Sequence, residues 1–388
     1  MWCPDGIAPL RIWACTAAAL AALLAPQSLA QPRIELPVDQ SIFLSDNPFL
    51  LPGRNTGAAA LEIAVRPTLD WQIGPSTTLE VDGAARLRQY LRRYGDYMTG
   101  RVDAVVRHRD SEYLSLRGAV GYARELPIDA MTDSLDAALD TRSLRQTQSA
   151  RLYADWSPSA VMTVNAAVGA MRTRFSGSAI LQTTKSYDAS VAIARRLSAR
   201  TILGIQGQIA RISGEDLGAR TARTLQLTAT RRLSDAWRLE ARAGVEWAGS
   251  ERLSQGGGRD RPRFAGSGTV CRETTRLDLC LTGSMRSEVS ALTGLRRELT
   301  LGADAELRLT ERGTLFLSGD YQKARGGVMP LDLFRVSAAY ERRLSQRFSL
   351  RGGVDYMRRG SDFGGAVGRD RIGAAVAHVT LIFRGFRR

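Results

Sequence analysis

Arginine is the residue type on which any chemistry here must rest. Of the 54 basic side chains only Lys185 and Lys323 are lysines, and against 39 carboxylates they leave a formal charge of +15. A guanidinium is a planar fork that grips carboxylate, sulfate or phosphate with two parallel hydrogen bonds. Imidazole is scarce, with only His108 and His378. No Gly-x-Ser-x-Gly elbow and no His-Glu-x-x-His pair occurs, so the sequence offers no catalytic group, metal site or cofactor site. Nucleic-acid binding, the usual reading of such a charge, is excluded by the placement of the arginines. They are spread singly through alternating segments and are not gathered on one helix or tail.

The segments that carry them have a period of two. In Trp237-Arg238-Leu239-Glu240-Ala241-Arg242-Ala243-Gly244-Val245-Glu246-Trp247, the Trp, Leu, Ala and Val side chains share one face while Arg and Glu share the other. Ten rises of about 3.3 Å at a tilt of about 45° project to roughly 23 Å, close to the roughly 25 Å apolar band between the aromatic girdles of a membrane barrel. The same two faces recur around Leu61 to Trp71, Leu79 to Arg88, Leu299 to Leu309 and Phe348 to Tyr356. After residue 30 no apolar run is long enough for a membrane helix. By this alternation Arg66, Arg86, Arg88, Arg117, Arg151, Arg238, Arg242, Arg308 and Arg351 face inward. They form either a lumen wall that favours acidic solutes or a wall closed by pairing with carboxylates such as Glu62, Asp82, Glu240, Glu246, Asp304 and Asp355. His378 faces inward and His108 outward. Arg92, Arg93, Arg231, Arg342 and Arg343 fall near strand ends, within reach of lipid phosphates.

Short turns centre near Pro75, Ser111, Pro158, Ala199, Asp235, Thr274, Arg312 and Gln346, and three share a wording, Arg-Arg-Leu-Ser, at 195–198, 231–234 and 342–345. They alternate with long connections at 126–145, 249–263 and 360–369. The first of these carries an acidic run, Asp129, Asp133, Asp136 and Asp140, that reads as a solvated loop. Such asymmetry, short turns at one end and long loops at the other, is expected of an all-β, transmembrane, antiparallel up-and-down β-barrel. Eight hairpins give about 16 strands. A last strand from Arg371 to Phe386 and a first from Ile34 to Leu44 raise the count to about 18. The alternative is about 16, with residues 31–56 as an N-terminal extension instead of a first strand and loop.

Residues 1–30, with an apolar stretch from Ile12 to Ala25 and Ser28-Leu29-Ala30 at its end, read as a cleaved signal peptide, leaving 31–388 as the barrel. Export to an oxidising compartment bears on Cys271 and Cys280. They sit on the inward faces of two strands joined near Thr274, where parity allows them to lie opposite each other and form a disulfide.

Ser45-Asp46-Asn47-Pro48-Phe49-Leu50, together with the recurring Leu-Ser-x-x-aromatic turns, resembles the Asp-Asn-aromatic signature of the beta-barrel porin-2 type, related to the EpsL-like outer-membrane proteins of exopolysaccharide systems. Pro48 intervenes in the signature, and Ser45 stands where those proteins have an aromatic. The resemblance implies a pore in the bacterial outer membrane, linked to exopolysaccharide export, with acidic polysaccharide and periplasmic export machinery as partners beside lipid and lipopolysaccharide. The residues themselves leave open passive diffusion of acidic solutes, a closed structural or interaction barrel that binds through its loops, and, less favoured, an outer-membrane hydrolase.

Overall fold

The structure, a computed structural model, describes residues 31–53, 56–130, 135–215, 218–250, 262–292, 294–325, 331–361 and 370–384. Residues 1–30, read above as a signal peptide, lie outside these residues, as do most of the 249–263 and 360–369 connections.

The chain forms one closed antiparallel sheet. β1 comprises Arg33–Glu35 and Val38–Ser45, and β2 comprises Ala58–Val65 and Thr68–Gly74. Each is one strand interrupted by a proline. Pro37 and Pro67 have no N–H to give to the ladder, yet register is kept across both breaks: Arg33 faces Asp70 as Val38 faces Val65, and Val65 faces Ala85 as Thr68 faces Asp82. Their carbonyls still accept, from Arg66 N at 3.0 Å and Gly83 N at 2.8 Å.

The remaining strands follow in order: β3 (Thr77–Tyr90), β4 (Asp96–Arg109), β5 (Leu114–Glu125), β6 (Leu144–Ser159), β7 (Met162–Ser176), β8 (Thr184–Ser198), β9 (Thr201–Gly214), β10 (Gly218–Arg232), β11 (Trp237–Ser250), β12 (Arg263–Glu273), β13 (Leu277–Ser290), β14 (Gly294–Thr310), β15 (Gly313–Arg325), β16 (Leu331–Arg343), β17 (Phe348–Ser361) and β18 (Asp370–Phe383). Each pairs with its sequence neighbours. β1 pairs with β18, Val38 facing Phe383 and Ser45 facing Val376, and this closes an 18-strand barrel. The first strand is thus part of the wall, which settles the count at 18 and sets aside the 16-strand alternative.

The barrel is apolar outside and polar inside. Leu227 is 69% exposed and Met98 71%, whereas Glu62, Asp39 and Glu298 are buried. Trp237 and Trp247 both lie on the outer face of β11, at its two ends. Phe348 and Phe383 stack at 5.2 Å at the end that carries the short turns. The Leu-Ser wording has a local cause. The serine hydroxyl accepts from the two backbone amides that reverse the chain: Ser234 Oγ from Ala236 N and Trp237 N, and Ser345 Oγ from Arg347 N and Phe348 N, all at 3.2 to 3.3 Å.

Cys271 and Cys280 oppose each other across β12 and β13, with Arg272 across from Leu279, and are joined by a disulfide. The loop they close is short, so the bond pins one hairpin and adds little to barrel stability. Non-reducing peptide mapping of protein purified without reductant is expected to recover the two cysteines joined. The double variant Cys271→Ser/Cys280→Ser is expected to keep heat-modifiable migration and a strand-dominated circular dichroism spectrum. Free thiols in the parent would contradict the first expectation, and a variant that loses its heat-modifiable form would contradict the second.

Candidate functional site: the lumen and its mouth

The long-loop end of the bore is filled by chain that folds inward. At the top of β1, Asp46 stays on the wall, donating its N–H to Ala375 O at 3.2 Å and accepting from Ala375 N at 2.8 Å. Asn47 then closes a tight loop with both ends of its amide, donating to Leu51 O and accepting from Leu51 N, each at 2.9 Å. This bracket holds Leu50 at φ +48°, a left-handed conformation uncommon outside glycine and asparagine. It also drives Phe49, fully buried, into Tyr90, Tyr94 and Tyr97, with ring centroids 4.8 to 5.7 Å away.

The connection from β5 to β6 packs on this platform. Its short 3-10 turns at Pro127–Ala130 and Leu135–Ala138 bury Leu126, Ile128, Leu135 and Ala138 against Phe49, Leu333, Met357 and Ala374. The solvated loop expected of the acidic run is therefore corrected, because two of its aspartates, Asp129 and Asp136, are anchors. Asp129 meets Arg88 of β3 at 3.1 Å, and Arg88 also holds Glu62 at 2.8 Å. Asp136, almost fully buried, accepts from Arg296 Nη1 at 2.8 Å, Ser290 Oγ at 3.1 Å and Ala291 N at 2.6 Å. Thr141 donates to Phe49 O at 2.6 Å, and Arg359 of β17 donates to Ala138 O. Asp133 lies outside the described residues. Strands β3 and β14 stand seven apart by the shorter way around an 18-strand ring, so a loop fixed to both crosses the bore.

The β13–β14 hairpin leans in to meet it. The upper part of β14 comes close to β9 and β10, and Ser287 of β13 reaches past β12 to donate from both its amide and its hydroxyl to buried Glu246 of β11. Beneath the hairpin lies a cavity of about 310 Å³ whose lining includes Arg151, Asp188, Gln206, Gln226, Arg242 and Arg286.

The strand registers place eight of the nine arginines on the inner face, and Arg66, in the break of β2, reaches buried Asp39; their partners differ. Arg66 is held by Asp39 at 2.8 Å, Arg151 by Asp188 at 2.6 Å, Arg238 by Glu240 at 3.3 Å and Arg351 by Glu341 at 3.1 Å. Arg308 makes longer contacts with Glu306 and Asp278, at 3.5 and 3.8 Å. Arg88 is committed to the loop. Arg117 stacks on Tyr153, 3.9 Å from the ring centroid. Among the described residues Arg86, Arg117 and Arg242 meet no carboxylate, and Asp82 and Asp304 meet no arginine. His378 lies 3.3 Å from Asp355, which Arg335 also holds at 3.2 Å, and His108 contacts Thr77 on the outer side. Among the described residues no three His, Cys, Asp or Glu side chains gather as metal ligands.

The sequence matches no protein-family model and no curated protein. Solved structures share the fold. Pseudomonas aeruginosa OccK2 (OpdF) aligns over 91% of this chain and 98% of its own, with a TM-score of 0.51 at 12% identity. Its complex with glucuronate aligns over 92% and 100%, with the same TM-score and identity. The outer membrane protein OpdK of the same organism aligns over 91% and 99%, with a TM-score of 0.50 at 10% identity. The chain therefore has the fold of an outer-membrane, porin-like β-barrel.

Breaking a buried ion pair from one side costs about 3–5 kcal/mol, since the other charge is left without compensation. Arg296→Met is therefore expected to release the loop from β14 and raise single-channel conductance in planar bilayers while the barrel stays folded. Phe49→Ala removes the platform from the other side, at about 3–5 kcal/mol. Its loop is expected to be cut by protease faster than that of the parent. Unchanged conductance in Arg296→Met would show that the loop does not limit flow.

Proposed function

We propose that the protein is a diffusion channel of the bacterial outer membrane for small hydrophilic solutes, with a preference for acidic ones. It would be exported by a signal peptide cleaved after Ala30. The observation that carries this reading is the set Arg86, Arg117 and Arg242: inward-facing guanidiniums without a carboxylate partner among the described residues, lying below a mouth narrowed by pinned loops. Paired arginines such as Arg66 and Arg351 make the wall rigid and electrically balanced. The unpaired ones leave a positive potential that a carboxylate can meet bidentately on its way through. The bound glucuronate of the OccK2 complex is a solute of this class and a suitable probe.

Conduction of an acidic exopolysaccharide is the second reading, favoured by the resemblance of residues 45–50. In this barrel that segment supports a loop crossing the bore, so a polymer would have to displace the contacts of Asp129 and Asp136, a demand that a monosaccharide acid does not make to the same degree. A barrel closed to solutes, binding partners through its loops, would show no stable conductance steps.

The test is reversal potential in a salt gradient together with liposome swelling in glucuronate and in glucose. The parent is expected to select anions and to admit glucuronate faster than glucose. The triple variant Arg86→Gln/Arg117→Gln/Arg242→Gln is expected to lose most of that preference while keeping its conductance steps. Cation selectivity in the parent would overturn the proposal.

A further inference from the structure

The outer face of β7 to β10 carries basic side chains that neither the lumen nor the loops use. Strand pairing sets Arg172 opposite Lys185, Arg174 opposite Gln146 of β6, Arg211 opposite Tyr187, and Arg223 opposite Trp247 of β11. Arg172, Arg174, Lys185, Arg211 and Arg223 are all exposed. They lie toward the long-loop ends of their strands, just beyond the apolar band. On β8, Lys185 and Tyr187 are followed outward by Ala189, Val191, Ile193 and Arg195, and the ten rises from Lys185 to Arg195 project to roughly 23 Å at a 45° tilt, the height of the apolar band. The basic groups therefore sit at the level of headgroups, with Tyr187 and Trp247 beside them as interfacial aromatics. No carboxylate stands among the described outward positions of this sector within the strands, and Glu215 lies beyond them in the turn after β9. A second outward basic group, on β15 to β17, differs. There Lys323 faces Asp332 across the strands, and Arg358 lies over the Phe334 ring at 6.0 Å.

We propose that the β7–β10 sector is a binding site for the phosphates of a phosphorylated glycolipid in the outer leaflet, its acyl chains lying along Ala189, Val191, Leu225 and Leu227. This rests on the outer-membrane channel reading above, with the long-loop end as the outer face and the short turns in the periplasm, as in outer-membrane barrels. Guanidinium forks on three strands, β7, β9 and β10, without carboxylates among them and directly above an apolar wall, match a ligand with phosphates at one end and hydrocarbon at the other. A free anion would have no use for the wall.

The test uses the full chain in phosphatidylcholine mixed micelles doped with diphosphoryl lipid A. Glycolipid retained after affinity capture is quantified by mass spectrometry. The parent is expected to retain diphosphoryl lipid A and to lose most of that retention when the glycolipid is dephosphorylated. The variant Arg172→Gln/Arg174→Gln/Lys185→Gln/Arg223→Gln is expected to lose most of it as well, and Lys323→Gln/Arg358→Gln to keep it. If the fourfold variant fails to give the heat-modifiable form, Lys185→Gln and Arg223→Gln are measured singly, each with reduced retention expected. Equal retention by parent and variants, or equal retention of the dephosphorylated glycolipid, overturns the proposal. Displacement by millimolar inorganic phosphate would overturn the lipid assignment. A parent that conducts in planar bilayers yet retains no glycolipid would end this proposal and leave the channel reading standing.

Discussion

Hydrocarbon offers no hydrogen bonds, so a chain that crosses it in strands must satisfy every backbone N–H and C=O within its own sheet, and only closure does this. The pairing of β1 with β18 therefore governs the rest. It turns the usual partition inside out, sending Leu227 and Met98 to the exterior and Glu62, Glu246 and Arg296 to the interior. It also explains how Pro37 and Pro67 are tolerated in adjacent strands. Each removes one donor, but both carbonyls still accept and the register carries on beyond them, so the gap stays local.

Closure creates a bore, and a bore lined with ions needs organisation of its own. The acidic loop supplies it at the mouth. Placing Asp136 out of water would be costly for a bare carboxylate, but Arg296, Ser290 and Ala291 meet it with three hydrogen bonds. The loop is therefore held at a defined place by polar contacts at its far end and by Phe49 with its tyrosines at the near end. Along the bore, among the described residues, arginines with and without a carboxylate partner give two materials from one residue type, a stiff neutral wall and a few forks with no counter-charge beside them.

Period-two alternation is a local signal, and so the strands, the short turns, the inward face of arginines such as Arg86 and Arg242 and the opposition of Cys271 to Cys280 can all be read from neighbouring residues. The turn wording is legible for the same reason, since Ser234 and Ser345 act within three residues. The mouth is not legible in this way. Asp136 meets Arg296 at a separation of 160 residues, and the charge pattern around Asp136 does not distinguish an anchor from a solvated acid. A weak cue was present in Leu126, Ile128 and Leu135, apolar residues interleaved with aspartates in a segment that need not contain any. The partners of the arginines are equally non-local. Alternation says that Arg66 and Arg351 point inward, but the choice of Asp39 and Glu341 depends on the shear of the closed barrel, which no single strand records.

The seam has a consequence in time as well as in space. Every other strand pair joins sequence neighbours and can form as soon as both strands exist, whereas the contact of Ser41 with Thr380 spans 339 residues. Loop-closure entropy and contact order make this the slowest pairing to form. Until it forms, the first and last strands are both open edges. The chain must therefore be kept from pairing with other copies until its final strand arrives, and a truncation that removes β18 would leave an aggregation-prone open sheet in place of a slightly smaller barrel.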